Sequence, residues 1–237
     1  MIRWKADGCE VAFTTRVGGV SEGPYASLNL GRKSGDDVER VDENRRVACA
    51  TICADVEKLA LNFQVHSDRV LRAAAGKRGE HADGLWTDEP GLPILAMSAD
   101  CLPIAIARVD AAKPAVAVLH VGWRGLLAGI VAAGTSATGS GRLAAAIGPG
   151  IGPCCYEVGE DVAAPFRERF GDDVVRESRL DLWTSAERAL RAAGVERVDR
   201  FDRCTACEPE TFFSHRRDAG RTGRQVAFIA PRAPTRR

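Results

Sequence analysis

Along the chain, apolar positions gather into short runs bounded by glycine, proline and acidic turns, with longer amphipathic stretches between some of them. Val11 to Thr15, Leu59 to Val65, Val70 to Ala74, Leu92 to Met97, Leu102 to Ala107, Ala115 to Leu119 and Leu143 to Ile147 read as strands, and Val226 to Ile229 as a closing one. Several lack clean alternation, which predicts cover on both faces. Helical spacing of apolar residues predicts helices over Asp36 to Cys53, Gly125 to Ala137, Val162 to Phe170 and Leu182 to Ala193. Strands interleaved with helices predict an α/β (α+β) fold: a single compact domain over residues 1–237, with layered mixed β-sheets covered by helices. Two segments fall outside this pattern. RVGGVSEGPYASLNLG, residues 16–31, has the composition of a long irregular loop, and PRAPTRR, residues 231–237, that of a frayed tail.

Composition narrows the function classes. The 237 residues are 45% hydrophobic, enough for a substantial core, and 33 basic against 32 acidic residues leave no global field for nucleic acid or a membrane surface. The opening MIRWKADGCE has no apolar signal region, and the most apolar stretch, Leu92 to Ala107, is broken by Pro93, Asp100 and Pro103. A cytoplasmic location is expected, and with it eight reduced cysteines. Cys154 and Cys155 are expected as two small buried thiols. Cys204 and Cys207 form a single CxxC, read as structural, since a zinc ribbon needs two such pairs.

Three residues share one situation: His66, Cys101 and His120 each stand at or just past the tip of a predicted strand. Neighbouring strand tips converge, and side chains there commonly build sites. Two imidazoles and a thiolate make a three-ligand set that leaves a fourth tetrahedral position open, as in catalytic zinc sites; Zn2+ is preferred to Cu2+ because no redox partner set accompanies it. From spacing alone the same residues also fit two satisfied histidines and a buried thiol. Asp100, beside Cys101, is a candidate proton handler or outer partner of the centre. Arg124 follows HVGW at a predicted helix start, where free amides and a guanidinium suit an anion. Arg216 and Arg217, in SHRRDAGRTGR, are candidates for clamping phosphate.

The segments TTRVGGVSEGPYASLNLG, GDDVERVDENR, QVHSDRV, ADGLWT, SADCLPI, HVGWRG, AAIGPGIGPCCYEVG, CTAC and FFSHRRDAGRTGRQ together resemble, in order and over nearly the whole chain, the YfiH-like laccase-domain family. Its members were first described as polyphenol oxidases and later as purine nucleoside phosphorylases. The resemblance implies a single α/β domain and a zinc held by His66, Cys101 and His120, with Arg16 and Asn29 of the first motif as further substrate or phosphate residues. It also implies phosphorolysis of adenosine, inosine or methylthioadenosine, with adenosine deamination as a possible second activity, and one branch is linked to peptidoglycan precursor editing. The expected partners are a nucleoside and phosphate, with no nucleic acid, membrane or obligate protein partner.

Two alternatives stay beside phosphorolysis. One is an amide hydrolase with Cys101 as nucleophile and His66 or His120 as base. The other is a copper-binding polyphenol oxidase, opposed by the count of imidazoles: a blue-copper centre and a three-copper cluster together need about ten histidines, and the chain has four.

Overall fold

The computed structural model describes residues 1–6, 9–109 and 114–231. In chain order the first half carries β1 (Ile2–Ala6), β2 (Cys9–Phe13), α1 (Val38–Ala50), β3 (Leu61–Phe63), β4 (Val70–Arg72), β5 (Arg78–His81), β6 (Gly84–Thr87), β7 (Ile94–Ser98) and β8 (Leu102–Arg108). The second half carries β9 (Ala115–Val121), α2 (Trp123–Ala128), α3 (Ile130–Thr138), β10 (Leu143–Ile147), α4 (Glu160–Phe170), β11 (Val175–Arg176), β12 (Arg179–Leu180), α5 (Leu182–Ala192), β13 (Arg197–Arg200) and β14 (Gln225–Pro231). A six-stranded mixed sheet runs β13-β10-β8-β9-β6-β4, and a four-stranded antiparallel sheet runs β1-β2-β14-β7.

The two-residue period of the strands decides how these layers stack. On β8, Ile104 and Ile106 face one side with Leu119 of β9 and the helical residues Leu126, Ile130, Phe166 and Leu190. Ala105 and Ala107 face the other, against Val11, Phe13, Ile94 and Ile229 of the four-stranded sheet. Alanines on that inner face let the two sheets approach. The outer face of the four-stranded sheet buries Ala12, Leu95, Val226 and Phe228 under α1. The result is helix, sheet, sheet, helices, the layered α/β arrangement expected. β8 and β9 are apolar on both sides for this reason.

Several expectations are corrected in detail. The helix expected over Gly125 to Ala137 is two, because Gly129 takes φ +104° and ends α2 before α3 begins. The first expected strand lies two residues earlier, at Cys9–Phe13. β1, β5, β6 and the polar edge strand β13 lack the uniform apolar signal of central strands and were not expected. Pro231, placed in the tail, ends β14 opposite Cys9; residues 232–237 lie outside the described ones. No disulfide joins the cysteines, but Cys154 is exposed and Cys155 half-buried rather than both buried. Among the described residues no helix is long and apolar enough to cross a membrane.

The glycine-rich segment before α1 is irregular yet tightly held. Asn44 of α1 is fully buried; its Oδ1 accepts from the Val20 amide at 2.8 Å and its Nδ2 donates to the carbonyls of Ser27 and Asn29. Arg45 donates to the Leu30 carbonyl from two nitrogens. α1 is thus more than an amphipathic cover: its polar residues replace, for the loop, the backbone partners that a strand would have supplied.

Packing of α3 on the six-stranded sheet is close enough to require a glycine. A Cβ on Gly134 would lie 2.8 Å from Leu119 Cδ1 and 2.9 Å from Cδ2. Gly134→Val is expected to destabilise the protein by about 1–3 kcal/mol through overpacking, with part of the loss recovered by Leu119→Ala in the same chain, as read by urea denaturation.

Candidate metal centre

Strand register brings the three expected ligands together. β8 pairs with β9 so that Leu102 lies opposite Val121 and Pro103 opposite His120, which puts Cys101 beside Gly122, just past the end of β9. β9 pairs in turn with β6, Gly84 opposite Leu119, so Asp83 stands next to His120. The Ala82 amide donates to the Phe63 carbonyl, and this tie carries the segment after β3, with His66, to the same end of the sheet. The ligand atoms of His66, Cys101 and His120 all lie within 4.8 Å of one another. Cys101 Sγ is 3.9 Å from His66 Nε2, and the two imidazoles meet edge to face with centroids 4.9 Å apart.

Asp83 orders this cluster, and sequence reasoning passed over it although it lies in the ADGLWT motif. Its side chain is wholly inaccessible to solvent. Oδ1 accepts from His120 Nδ1 at 2.9 Å and from the His66 amide at 2.9 Å. Oδ2 accepts from the amides of Val65 and Ser67 and from the Ser67 hydroxyl. With Nδ1 donating to Asp83, Nε2 of His120 is left as the coordinating atom, the outer carboxylate partner common to metal-binding histidines. The same carboxylate holds His66 at φ +63°, a left-handed conformation that a non-glycine residue adopts only when so constrained. Burial alone would raise the Asp83 pKa, but His120 and the donors of residues 65–67 hold it well below the usual carboxylate range.

Cys101 and His120 perturb each other. Burial opposes both charges, yet the positive imidazole of His120 and the hydrogen bond from His66 bring the Cys101 thiol down, while the thiolate and Asp83 bring His120 up. The residues present fit a divalent cation. A thiolate and two imidazoles form a Cys-His₂ set, and Gly122 leaves room on one side: a Cβ there would stand 2.9 Å from His66 Cδ2 and 3.0 Å from Cys101 Sγ.

The centre opens into a cavity of about 740 Å³, ample for a nucleoside-sized ligand. Its wall is cationic although the chain as a whole carries only +1. Arg124, Arg216 and Arg224 line it together with Arg32, Lys33, Arg45 and Arg78, while among the described residues Asp100 is its one acidic lining residue. Phe63, Met97, Trp123, Ile151 and Tyr156 supply apolar surface. Burial lowers the pKa of Arg224, partly offset by the charges of Cys101 and Asp100, and burial followed by the Cys101 charge raises that of Tyr156.

The remaining expected residues divide. Arg124 is exposed in the cavity with its guanidinium 4.1 Å from the Trp123 ring centroid. Arg216 lines it too, anchored by two hydrogen bonds to the Glu157 carbonyl. Asp100 reaches the cavity, but its Oδ1 accepts from Thr205 Oγ1 at 2.6 Å and its Oδ2 from the Arg216 amide at 2.7 Å. Arg16, Asn29 and Arg217 are not among the lining residues. Arg16 donates to the carbonyls of Ala26 and Pro209. Asn29, fully buried, accepts from the amides of Gly31 and Arg224, and Arg217 donates to Asp218, Thr205 and Phe212. These three hold loops. Arg224, which Asn29 positions, was missed because it sits in the same arginine-rich run with no local mark to separate it from its neighbours.

A layered α/β protein with a candidate three-ligand metal site at the mouth of a cationic cavity defines the class. The family model described as multi-copper polyphenol oxidoreductase laccase matches residues 10–232, and the chain belongs to this YfiH/YlmD-type family. It is 36% identical to the purine nucleoside phosphorylase YlmD of Geobacillus stearothermophilus, over 95% of this chain and 91% of that one. It is 38% identical to the purine nucleoside phosphorylase YfiH of Escherichia coli, over 94% and 93%. The crystal structure of the Geobacillus YlmD superimposes with a TM-score of 0.87 at 35% identity, covering 95% of this chain and 93% of that one. A Bacillus licheniformis hypothetical protein, YfiH, does so with a TM-score of 0.87 at 33% identity, covering 94% and 92%.

Asp83→Asn is expected to weaken zinc binding by roughly 10–100-fold while the chain stays folded, as read by competition with a chromophoric chelator. Because coordination requires neutral imidazoles and a thiolate, and His120 holds its proton more firmly than usual, zinc binding is expected to release protons at neutral pH and to weaken as pH falls. Calorimetry in buffers of different ionisation enthalpy reads that release directly.

Proposed function

We propose that the chain is a cytoplasmic, zinc-dependent purine nucleoside phosphorylase that converts adenosine, inosine or methylthioadenosine and phosphate to the free base and the pentose 1-phosphate. The observation that carries this proposal is a cationic cavity wall adjoining a three-ligand metal centre in a nearly neutral chain. Relatives named purine nucleoside phosphorylases, aligned over nine-tenths of the chain, support it.

In phosphorolysis a phosphate oxygen bonds to C1′ as the C1′–N bond breaks, its electron pair leaves with the base, and the base takes up a proton. Positive charge grows on the sugar and the anion must be held next to it. Arg124 and Arg216 present guanidinium donors to the cavity and serve as the phosphate clamp. Arg216 is steadied for this by the Glu157 carbonyl and by Tyr156, whose ring centroid is 5.4 Å from its guanidinium. The apolar surface of Phe63, Met97, Ile151 and Tyr156 receives the base and keeps water from the reacting carbon. Zinc held by His66, Cys101 and His120 would supply a Lewis acid beside the bound substrates. Asp100 acts as a positioning residue: it ties the Arg216 amide and Thr205 to the turn that presents Cys101.

Adenosine deamination would need a carboxyl group that moves protons, and both Asp100 oxygens are already engaged; phosphorolysis is therefore the primary reaction. Multicopper oxidase chemistry is opposed by the same count as before, four histidines in all. One observation favours a second reading. Cys101, with its lowered thiol pKa and His66 Nε2 3.9 Å away, is also the arrangement of a cysteine nucleophile for an amide hydrolase. Alkylation separates the two: a metal-held Cys101 resists iodoacetamide until chelator is added, whereas a nucleophilic thiolate reacts at once.

Zinc-loaded protein with inosine or adenosine is expected to release base and form ribose 1-phosphate only when phosphate is present, and His66→Ala to abolish this. Arg216→Ala is expected to raise KM for phosphate about tenfold or more, the loss of a charged hydrogen bond of ~1.5–3 kcal/mol. Turnover that survives zinc removal, or base release without phosphate, would overturn the proposal.

A further inference from the structure

A second group of sulfur donors lies outside the cavity lining. β10 and β13 are parallel neighbours, with Ile147 opposite Arg200, so the segments that follow them leave the sheet side by side. They are stitched together at once: the Gly150 amide donates to the Arg203 carbonyl, and the Thr205 amide to the Gly150 carbonyl at 3.0 Å. This brings Cys154 and Cys155 from one segment against Cys204 and Cys207 from the other, with all four Sγ atoms within 4.8 Å of one another. Cys207 Sγ is 3.4 Å from both Cys154 Sγ and Cys155 Sγ.

That spacing is too long for a disulfide, whose sulfurs stand about 2.0 Å apart, and all four are free thiols. It matches a tetrahedral zinc: Zn–S bonds of about 2.3 Å place the sulfurs roughly 3.8 Å from one another. The backbone is arranged for thiolates. The Gly152 amide donates to Cys204 Sγ at 3.3 Å, and Cys204-Thr-Ala-Cys207 closes a tight turn through the Cys207 amide on the Cys204 carbonyl at 3.2 Å. Without a cation, four thiolates cannot share this volume. Cys154 and Cys207 are exposed, so an ion can enter from solvent.

We propose that Cys154, Cys155, Cys204 and Cys207 bind a structural zinc ion, closed by four ligands and separate from the centre at His66. Binding releases the thiol protons to solvent and forms four Zn–S bonds, with no change of oxidation state. The ion fastens the segment after β10 to the segment after β13, and both bear on the cavity. Ile151 and Tyr156, flanking the cysteine pair, line it. Thr205, between the other two, donates to Asp100 beside Cys101, and its carbonyl accepts from Arg217. The vicinal pair serves as the second half of the ligand set that a lone CxxC lacks.

The test uses the full chain with the first centre removed, His66→Ala/His120→Ala, purified without chelator. About one zinc per chain is expected by elemental analysis, with X-ray absorption showing about four sulfurs at about 2.3 Å, and Cys207→Ser in this background is expected to abolish it. Should the doubly substituted chain fail to fold, the wild type decides: two zinc ions per chain in native mass spectrometry support the proposal. A single zinc with imidazole nitrogen in its shell overturns it. So do a zinc-free folded double variant, iron in place of zinc, or a mass lower by two hydrogens for each disulfide formed.

Discussion

One buried carboxylate organises the candidate metal site. Asp83 accepts from the His120 ring, from three successive amides of residues 65–67 and from the Ser67 hydroxyl. An anion without solvent contact survives only when each lone pair is met in this way. Those donors fix the tautomer of His120, the backbone of His66 and the position of the segment that carries it. Cys101 then completes the set through strand register, since the β8–β9 ladder leaves it no freedom to sit elsewhere. Remove the carboxylate and five donors lose a shared partner at once.

Around that centre the molecule separates two tasks. Rigid apolar strands, β8 and β9 above all, bring the candidate ligands within reach of one ion. Part of the cavity wall is built from loops rich in arginine, and there buried side chains rather than a ladder satisfy the backbone. Asn44 and Arg45 bind the loop before α1, and Asn29 bridges that loop to the Arg224 amide. Asp100 and Thr205 link the arginine segment to the turn of Cys101. Arg216 and Arg224, which face the cavity, are held by the carbonyls of Glu157, Thr222 and Gly223, which do not line it. A wall of like charges repels itself unless its backbone is fastened, and this explains why so many polar residues of the loops are buried. The four-cysteine cluster sits behind the same wall, and the zinc proposed for it would continue the pattern, with sulfur and a cation in place of amide and carbonyl.

Much of this was legible from the chain alone. Continuous apolar runs announced the central strands, and strand-tip positions singled out His66, Cys101 and His120, because burial on both faces and soft or borderline donors leave marks in residue type. Edge strands such as β13 left none, since RVDR pairs through its backbone and carries one apolar side chain, Val198. The split of α2 from α3 was hidden because Gly129 is one small residue among many in that run. Among the arginines, composition could not tell Arg216, which lines the cavity, from Arg217, which ties three carbonyl and carboxylate partners beneath it.

The sequence by itself determined the layer pattern, the donor types and the family, all of which depend on local chemistry and on period along the chain. Only the tertiary structure decided which of those donors meet. Asp83 and His120, Cys155 and Cys207, Asp100 and Thr205 are far apart in the chain and become neighbours through the register of β6 with β9 and of β10 with β13. Register is a property of paired strands, set by which faces bury together, and no single strand contains it.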